Sequence, residues 1–159
     1  MGETITIDGP SGVGKSTVSR SLAGILDYLY LDTGAMYRAV TLAGMESGVE
    51  LENPDDVISL MDKHEFKFVS EDDLMRAWID GKDVTEKIRR PDVTGKVKYI
   101  ANNPKVREKL VEMQRKFAAG QEKIVTEGRD QGTVVFPDAD KKFFLDAGVG
   151  ERAKRRYKE

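Results

Sequence analysis

The chain has 159 residues, enough for one sizeable core, and its 26 Lys+Arg against 28 Asp+Glu leave a net charge of −2, which points to no nucleic-acid or membrane surface. It has no cysteine, which excludes disulfides and thiolate metal sites. No apolar stretch is long enough to span a bilayer, and Met1-Gly2-Glu3-Thr4 carries no basic-then-apolar signal, so a cytoplasmic address is expected by default.

Thr4 to Asp8 reads as a first strand, and Gly9-Pro10-Ser11-Gly12-Val13-Gly14-Lys15-Ser16 follows it directly. This G-x-x-x-x-G-K-S run, with a strand before and a helical pattern behind, is a phosphate-binding loop. Its glycines let successive backbone N–H groups point inward at an anion, and a helix opening near Gly14 adds its positive end. Lys15 can reach the β- and γ-phosphates and Ser16 can ligate Mg²⁺, so the loop predicts a nucleoside triphosphate.

The following helix carries Val18, Leu22, Ile25 and Leu26 at helical spacing, an apolar face expected to pack on a sheet. Tyr28 to Asp32 reads as a second strand, and a helix from about Ala35 aligns Met36, Val40 and Ala43 before Ser47-Gly48. This alternation predicts an α/β fold with a parallel sheet. Asn53-Pro54 caps a short helix to about His64. Residues 65–69, 74–79 and 82–84 then alternate around turns at 70–73 and Asp80-Gly81, a small antiparallel meander. Asn103-Pro104 opens a helix with Val106, Leu110, Met113 and Phe117 on one face and Gly120 as its stop. Residues 123–127 and 141–146 read as core strands, residues 128–137 as an irregular loop, and a basic helix runs from about Gly150 to Glu159. The core is thus expected over residues 1–48 and 121–159, with residues 49–120 as a substrate-side insertion.

Three stretches lie where strands end, the place where such sheets put ligands. They are Asp8 with the phosphate loop, Asp32 to Arg38, and Gly128 to Thr133, and they are expected to converge on one cleft. Lys15, Arg38, Arg129 and Arg107 exceed what one triphosphate needs and suggest a second phosphorylated ligand. Arg107 taken alone reads better as a solvated surface charge.

The phosphate loop, Leu31-Asp32-Thr33-Gly34-Ala35-Met36-Tyr37-Arg38 and Gly128-Arg129-Asp130-Gln131-Gly132-Thr133-Val134-Val135-Phe136-Pro137-Asp138-Ala139 resemble the signature blocks of the bacterial cytidylate kinase family. Val106-Arg107, Gln114 and Glu151-Arg152-Ala153-Lys154-Arg155-Arg156 are similar to it too, so the likeness covers nearly the whole chain. The resemblance implies the P-loop nucleoside monophosphate kinase fold: a parallel sheet core with helices on both faces and an inserted NMP-binding subdomain. It implies a monomer that moves the γ-phosphoryl of ATP to CMP or dCMP, with no nucleic-acid or membrane partner. Gly9, Pro10, Ser11, Gly12, Val13, Gly14, Lys15, Ser16 and Thr17 would hold ATP, with Mg²⁺ at Ser16. Asp32, Thr33, Gly34, Tyr37, Arg38, Arg107, Arg129 and Asp130 would line the substrate site, with Lys15, Arg38, Arg129 and Asp130 as its catalytic group. Arg107 donors and the Asp130 acceptor complement the cytosine edge, and uracil reverses that pattern. Asp130 as a loop-capping carboxylate is the competing role.

Three departures from the family stand out. Lys98 occupies a position where the family commonly has serine near the base, and Arg90-Pro91 beside Arg89 depart from its pattern. The family also continues past the Arg155-Arg156 helix into an arginine-rich lid, a last strand and a helix, so the chain reads as truncated. Another small phosphate-loop kinase, or a nucleotide-binding fragment with little turnover, are the alternatives. His64 is expected to be solvated, and Trp78 and Phe66 to form the core of the meander.

Overall fold

The computed structural model describes residues 2–71 and 74–158. Met1, the expected turn residues Asp72 and Asp73, Glu159 and the side chain of Arg156 lie outside the described residues. In chain order the elements are β1 (Glu3–Asp8), α1 (Lys15–Leu26), β2 (Leu29–Asp32), α2 (Thr33–Ser47), α3 (Pro54–Lys63), β3 (Phe66–Glu71), β4 (Leu74–Ile79) and β5 (Lys82–Asp83). They continue with α4 (Pro91–Ala101), α5 (Pro104–Ala119), β6 (Lys123–Gly128), β7 (Lys141–Phe144) and α6 (Val149–Lys158). A 3₁₀ turn spans Lys87–Arg89 and a π-helical turn spans Gln131–Val135. The chain divides into two compact units, Met1–Asp32 with Ala118–Glu159, and Thr33–Phe117.

In the first unit a four-stranded parallel sheet runs in the order β2-β6-β1-β7. The registers Ile7↔Glu127, Asp8↔Gly128 and Asp32↔Glu127 bring the carboxyl ends of β1, β2 and β6 level. Side chains alternate across a strand, so Ile5 and Ile7 share a face with Val125 and Glu127, and with Tyr30 and Asp32 of β2. That face packs beneath α1 around a cluster of Ile5, Ile7, Ala23, Tyr30 and Val125.

Of the expected apolar face of α1 only Leu22 packs against that cluster, partly buried. Ser19 and Ala23 are fully buried, whereas Ile25 is 78% exposed and Val18 and Leu26 are about two-fifths exposed. The loop fixes where α1 begins and hence its rotational phase, and small residues on the inner face allow close helix–sheet approach. Asp27, in the left-handed region at φ 56°, ends the helix and returns its N–H to the Ala23 carbonyl.

In the second unit, β3, β4 and β5 form an antiparallel sheet. Asp80 (φ 50°) and Gly81 (φ 77°) are both left-handed, as the tight β4–β5 turn requires. His64, expected to be solvated rather than catalytic, pairs through Nδ1 with the exposed Asp80 Oδ2 at 2.6 Å. That contact and the Glu65 amide hold the Asp80 carboxyl below its ordinary range. Met75, Ala77 and Ile79 of β4 point into the core. Trp78, expected in that core, lies half-buried on the opposite face, with the Lys67 ammonium 5.9 Å from its ring centroid. Helix α2 packs on α3, α4, β4 and the 3₁₀ turn, which is why it groups with this unit. The sequence had placed residues 33–48 with the core.

Helix α4 was not anticipated. Pro91 at its first turn, with Val93, Val97 and Ile100 at helical spacing, is the signal that marks it.

The two faces of α1 make a direct contrast. Ile25→Ala is expected to change stability by less than about 0.5 kcal/mol, and Ala23→Leu to cost about 1–3 kcal/mol through overpacking. Urea denaturation of both variants checks this, and the reverse order would place the apolar stripe in the core.

Candidate active site

The loop after β1 owes its shape to backbone conformations that only glycine adopts freely. Gly12 and Gly14 take φ of 78° and 97°. A Cβ on Gly9 would fall 2.4 Å from the Leu145 carbonyl oxygen, so that position tolerates no side chain. Lys15 opens α1 and folds its Nζ back onto the Pro10 carbonyl at 2.9 Å. The first turn of α1 holds no acidic side chain to oppose an anion at its N-terminus. Ser11 is half-buried, Val13 is buried, and Ser16 and Thr17 lie towards solvent. Arg155 of α6 donates to the Val13 carbonyl at 3.2 Å and pairs with Glu151. An open depression lined by Gly9, Pro10, Arg129, Phe144 and Asp146 lies beside the loop.

Beneath the loop lies a carboxylate that the sequence analysis did not single out. Glu127, 5% exposed, accepts from Ser16 Oγ through Oε2 at 3.0 Å and from the Tyr30 hydroxyl through Oε1. Burial, and then the charge of Asp32, push the Glu127 carboxyl up, while the two hydroxyl donors and Lys15 favour its ionised form. Burial lowers the Lys15 ammonium, the Arg129 charge adds to that, and Glu127 and Asp8 oppose it. The signal for Glu127 was an acidic residue on the same strand face as Val125, at the end of an otherwise buried strand.

Asp8 is engaged in holding the fold. Its two oxygens accept from the Gln131 and Gly132 amides, each at 2.8 Å, and so cap the π-helical turn. Gln131 accepts from Thr126 Oγ1 at 2.9 Å, which fixes the other side of that turn. The turn leaves Arg129 exposed and Asp130 half-buried at the end of β6, and the Asp130 carbonyl accepts from the Val134 and Val135 amides.

Within the first unit the structure therefore brings together Lys15, Ser16, Asp8, Asp32, Glu127 and Arg129. The other candidates stand on the second unit. Thr33, Gly34, Tyr37 and Arg38 lie on the first turns of α2, with Thr33 buried and Tyr37 and Arg38 half-buried. Arg107 is half-buried in the first turn of α5, where its amide bonds the Asn103 carbonyl at 2.9 Å. Gln114 of α5 is 1% exposed. Lys98 is exposed, with its ammonium 4.9 Å from the ring centroid of Tyr99.

Among the described residues no three His, Cys, Asp or Glu side chains cluster as a metal cage. Mg²⁺ does not ask for one: it binds through one or two protein oxygens and takes the rest from phosphates and water. The Ser16 hydroxyl, backed by Glu127, fits that requirement. No helix among the described residues is long and apolar enough to cross a membrane.

A parallel sheet, a glycine loop at the end of β1 and a helix opening on lysine and serine define a phosphate-loop fold. The sequence model of the cytidylate kinase family matches residues 5–159. The chain is 48% identical over 155 residues to the cytidylate kinase of Caldanaerobacter subterraneus subsp. tengcongensis, covering 98% of this chain and 67% of that protein. It is 44% identical over 156 residues to the cytidylate kinase of Oceanobacillus iheyensis, again covering 98% and 67%. The cytidylate kinase of Enterococcus faecalis is 45% identical over 158 residues, covering 98% and 69%. The chain thus spans about two thirds of the length of these curated relatives, and it belongs to the cytidylate kinase family, enzymes that phosphorylate nucleoside monophosphates.

The buried carboxyl gives a pH test. A carboxyl with a raised folded-state pKa holds its proton longer in the folded chain than in the unfolded one. The Glu127 contribution to stability therefore falls as pH rises from the ordinary 4.5 through the raised folded value. Glu127→Gln is expected to flatten that fall, read from urea midpoints across the window. An unchanged pH profile would show that Glu127 is not the group concerned.

Proposed function

We propose that the chain transfers the γ-phosphoryl group of ATP to CMP or dCMP, giving ADP and CDP or dCDP. A phosphate oxygen of the monophosphate forms the new bond to the γ-phosphorus. The bond from that phosphorus to the β,γ-bridging oxygen breaks, and ADP leaves with the electron pair. The attacking phosphate is already anionic, so no side-chain base is needed, and the protein's work is positioning and charge neutralisation.

The observation that carries this reading is the loop itself: left-handed glycines, a Lys15 ammonium held across the loop, and Ser16 backed by Glu127. Gly9 to Thr17 hold the donor phosphates in this reading, and Lys15 follows the transferring charge. Ser16 is the protein oxygen for Mg²⁺, which when bound neutralises charge on the donor phosphates. Arg38 and Arg129 grip the acceptor phosphate, because guanidinium forks bind phosphate oxygens in pairs and stay charged. Asp32, Thr33, Gly34 and Tyr37 complete the acceptor side. Arg107 donates to cytosine O2 and N3 while Asp130 accepts from N4, and uracil leaves both mismatched.

Two measurements test the two halves of this reading. Lys15→Ala is expected to lower Mg·ATP affinity about 10- to 100-fold, the worth of one charge-assisted hydrogen bond, with the fold intact. Unchanged calorimetric affinity would remove the loop from the donor site. In a phosphotransfer assay with CMP, dCMP, UMP and AMP, the cytidine nucleotides are expected to react fastest. Asp130→Asn should narrow the preference for CMP over UMP by about tenfold or more. Equal rates with UMP in the parent overturn the base assignment, and an unaltered preference in the variant removes Asp130 from it.

A further inference from the structure

Helix α1 touches the sheet beneath the loop with two polar side chains one turn apart. Ser16 donates to Glu127, and the guanidinium carbon of Arg20 lies 5.6 Å from the ring centroid of Tyr30. Residues four apart share a helix face, so Ser16 and Arg20 grip the two ends of one buried pair. That pair is Tyr30, 1% exposed, and Glu127, 5% exposed, joined by the phenol hydroxyl on Oε1. They come from neighbouring strands, since Tyr30 lies opposite Val125 and Glu127 follows two residues on along the same face.

The direction of these bonds matters for a cation. A serine hydroxyl has one proton and two acceptor lone pairs. With its proton given to Glu127 Oε2, the Ser16 oxygen keeps its lone pairs for a metal. A Glu127 carboxylate free to turn would not hold that arrangement, and the Tyr30 hydroxyl on Oε1 stops it turning. The Arg20 cation over the ring in turn fixes the phenol.

We propose that Tyr30 is a positioning residue for the metal that accompanies the donor triphosphate: seated under Arg20, its hydroxyl anchors Glu127 so that the Ser16 hydroxyl is oriented as a cation ligand. This inference rests on the donor-site reading above. Tyr30 is 1% exposed, so its proposed effect on the metal runs through Glu127 and Ser16.

Tyr30→Phe removes the hydroxyl and keeps the ring under Arg20. ATP affinity of the folded chain is measured by calorimetry with Mg²⁺ and again with EDTA. The variant is expected to lose about tenfold of the gain in affinity that Mg²⁺ confers, the usual cost of removing an outer partner of a metal ligand, with affinity in EDTA unchanged. An unchanged Mg²⁺ gain, or an equal loss in both conditions, overturns the proposal. On a Ser16→Ala background the same substitution should add no further loss, and an additive loss overturns it. If Tyr30→Phe does not fold, Arg20→Met serves: a smaller loss confined to the Mg²⁺ condition supports the proposal, and a loss in EDTA as well overturns it. A parent whose ATP affinity is indifferent to Mg²⁺ overturns the donor-site reading itself. A parent with Mg²⁺-dependent affinity and an unaltered Tyr30→Phe overturns only the positioning.

Discussion

The first unit depends on how one edge of its parallel sheet satisfies its carboxylates. Asp8, Asp32 and Glu127 end adjacent strands, and each is less than a tenth exposed. A buried carboxylate costs several kcal/mol unless donors reach it. For Asp8 the donors are the backbone amides of Gln131 and Gly132, so the π-helical turn forms around it. For Glu127 they are Ser16 and Tyr30, so the start of α1 and the second strand are tied to β6. The loops at this edge take their shape from those donors.

Lys15 and Arg129 bring two cations to this edge beside the phosphate loop. Lys15 is lowered by burial and by Arg129, and the acids that oppose this are already engaged with other donors. In the donor-site reading proposed above, a multivalent anion between the loop amides and these cations offsets both the burial of Lys15 and the repulsion from Arg129, since it offers charge and hydrogen-bond acceptors to groups held close together. The loop amides and the open N-terminus of α1 point to the same ligand class from backbone geometry alone. Side-chain charge and backbone conformation are independent properties of the sequence, and their agreement is what makes an anion site a stronger reading than either.

Local chemistry was legible in the sequence wherever one short stretch decided the outcome. Asn53 caps α3 by accepting from the Asp55 amide, and Asp80-Gly81 make the turn their types require. The glycines of the phosphate loop take left-handed conformations because no neighbour alters what a missing Cβ allows. The features that were missed depend on partners distant in the chain. Glu127 meets Ser16 across 111 residues, and nothing in the strand around it announces a hydroxyl from α1. The inner face of α1 was legible only at Leu22, because an apolar stripe ranks residues by hydrophobicity, whereas the loop fixes the helix phase and the sheet then selects Ser19 and Ala23. Asp8 looked like a ligand group by its position, and only the folded turn shows that its oxygens are already taken.

The Ser16–Glu127 contact explains why α1 sits on its sheet through Ser16, Ser19, Arg20 and Ala23 together with Leu22, while Val18, Ile25 and Leu26 face outward. An apolar seam is non-directional and leaves a helix able to slide or rotate by small amounts. Hydrogen bonds to a buried carboxylate have fixed geometry, and small buried residues between them bring the helix close enough to hold it. The loop is continuous with α1, so fixing the helix also fixes the donors that face an anion. Donors already in place need no reorganisation when charge develops on a transferring phosphoryl group, and that preorganisation is the largest contribution a protein makes to such chemistry. A helix seated by directional hydrogen bonds is therefore what the proposed phosphate-transfer site calls for.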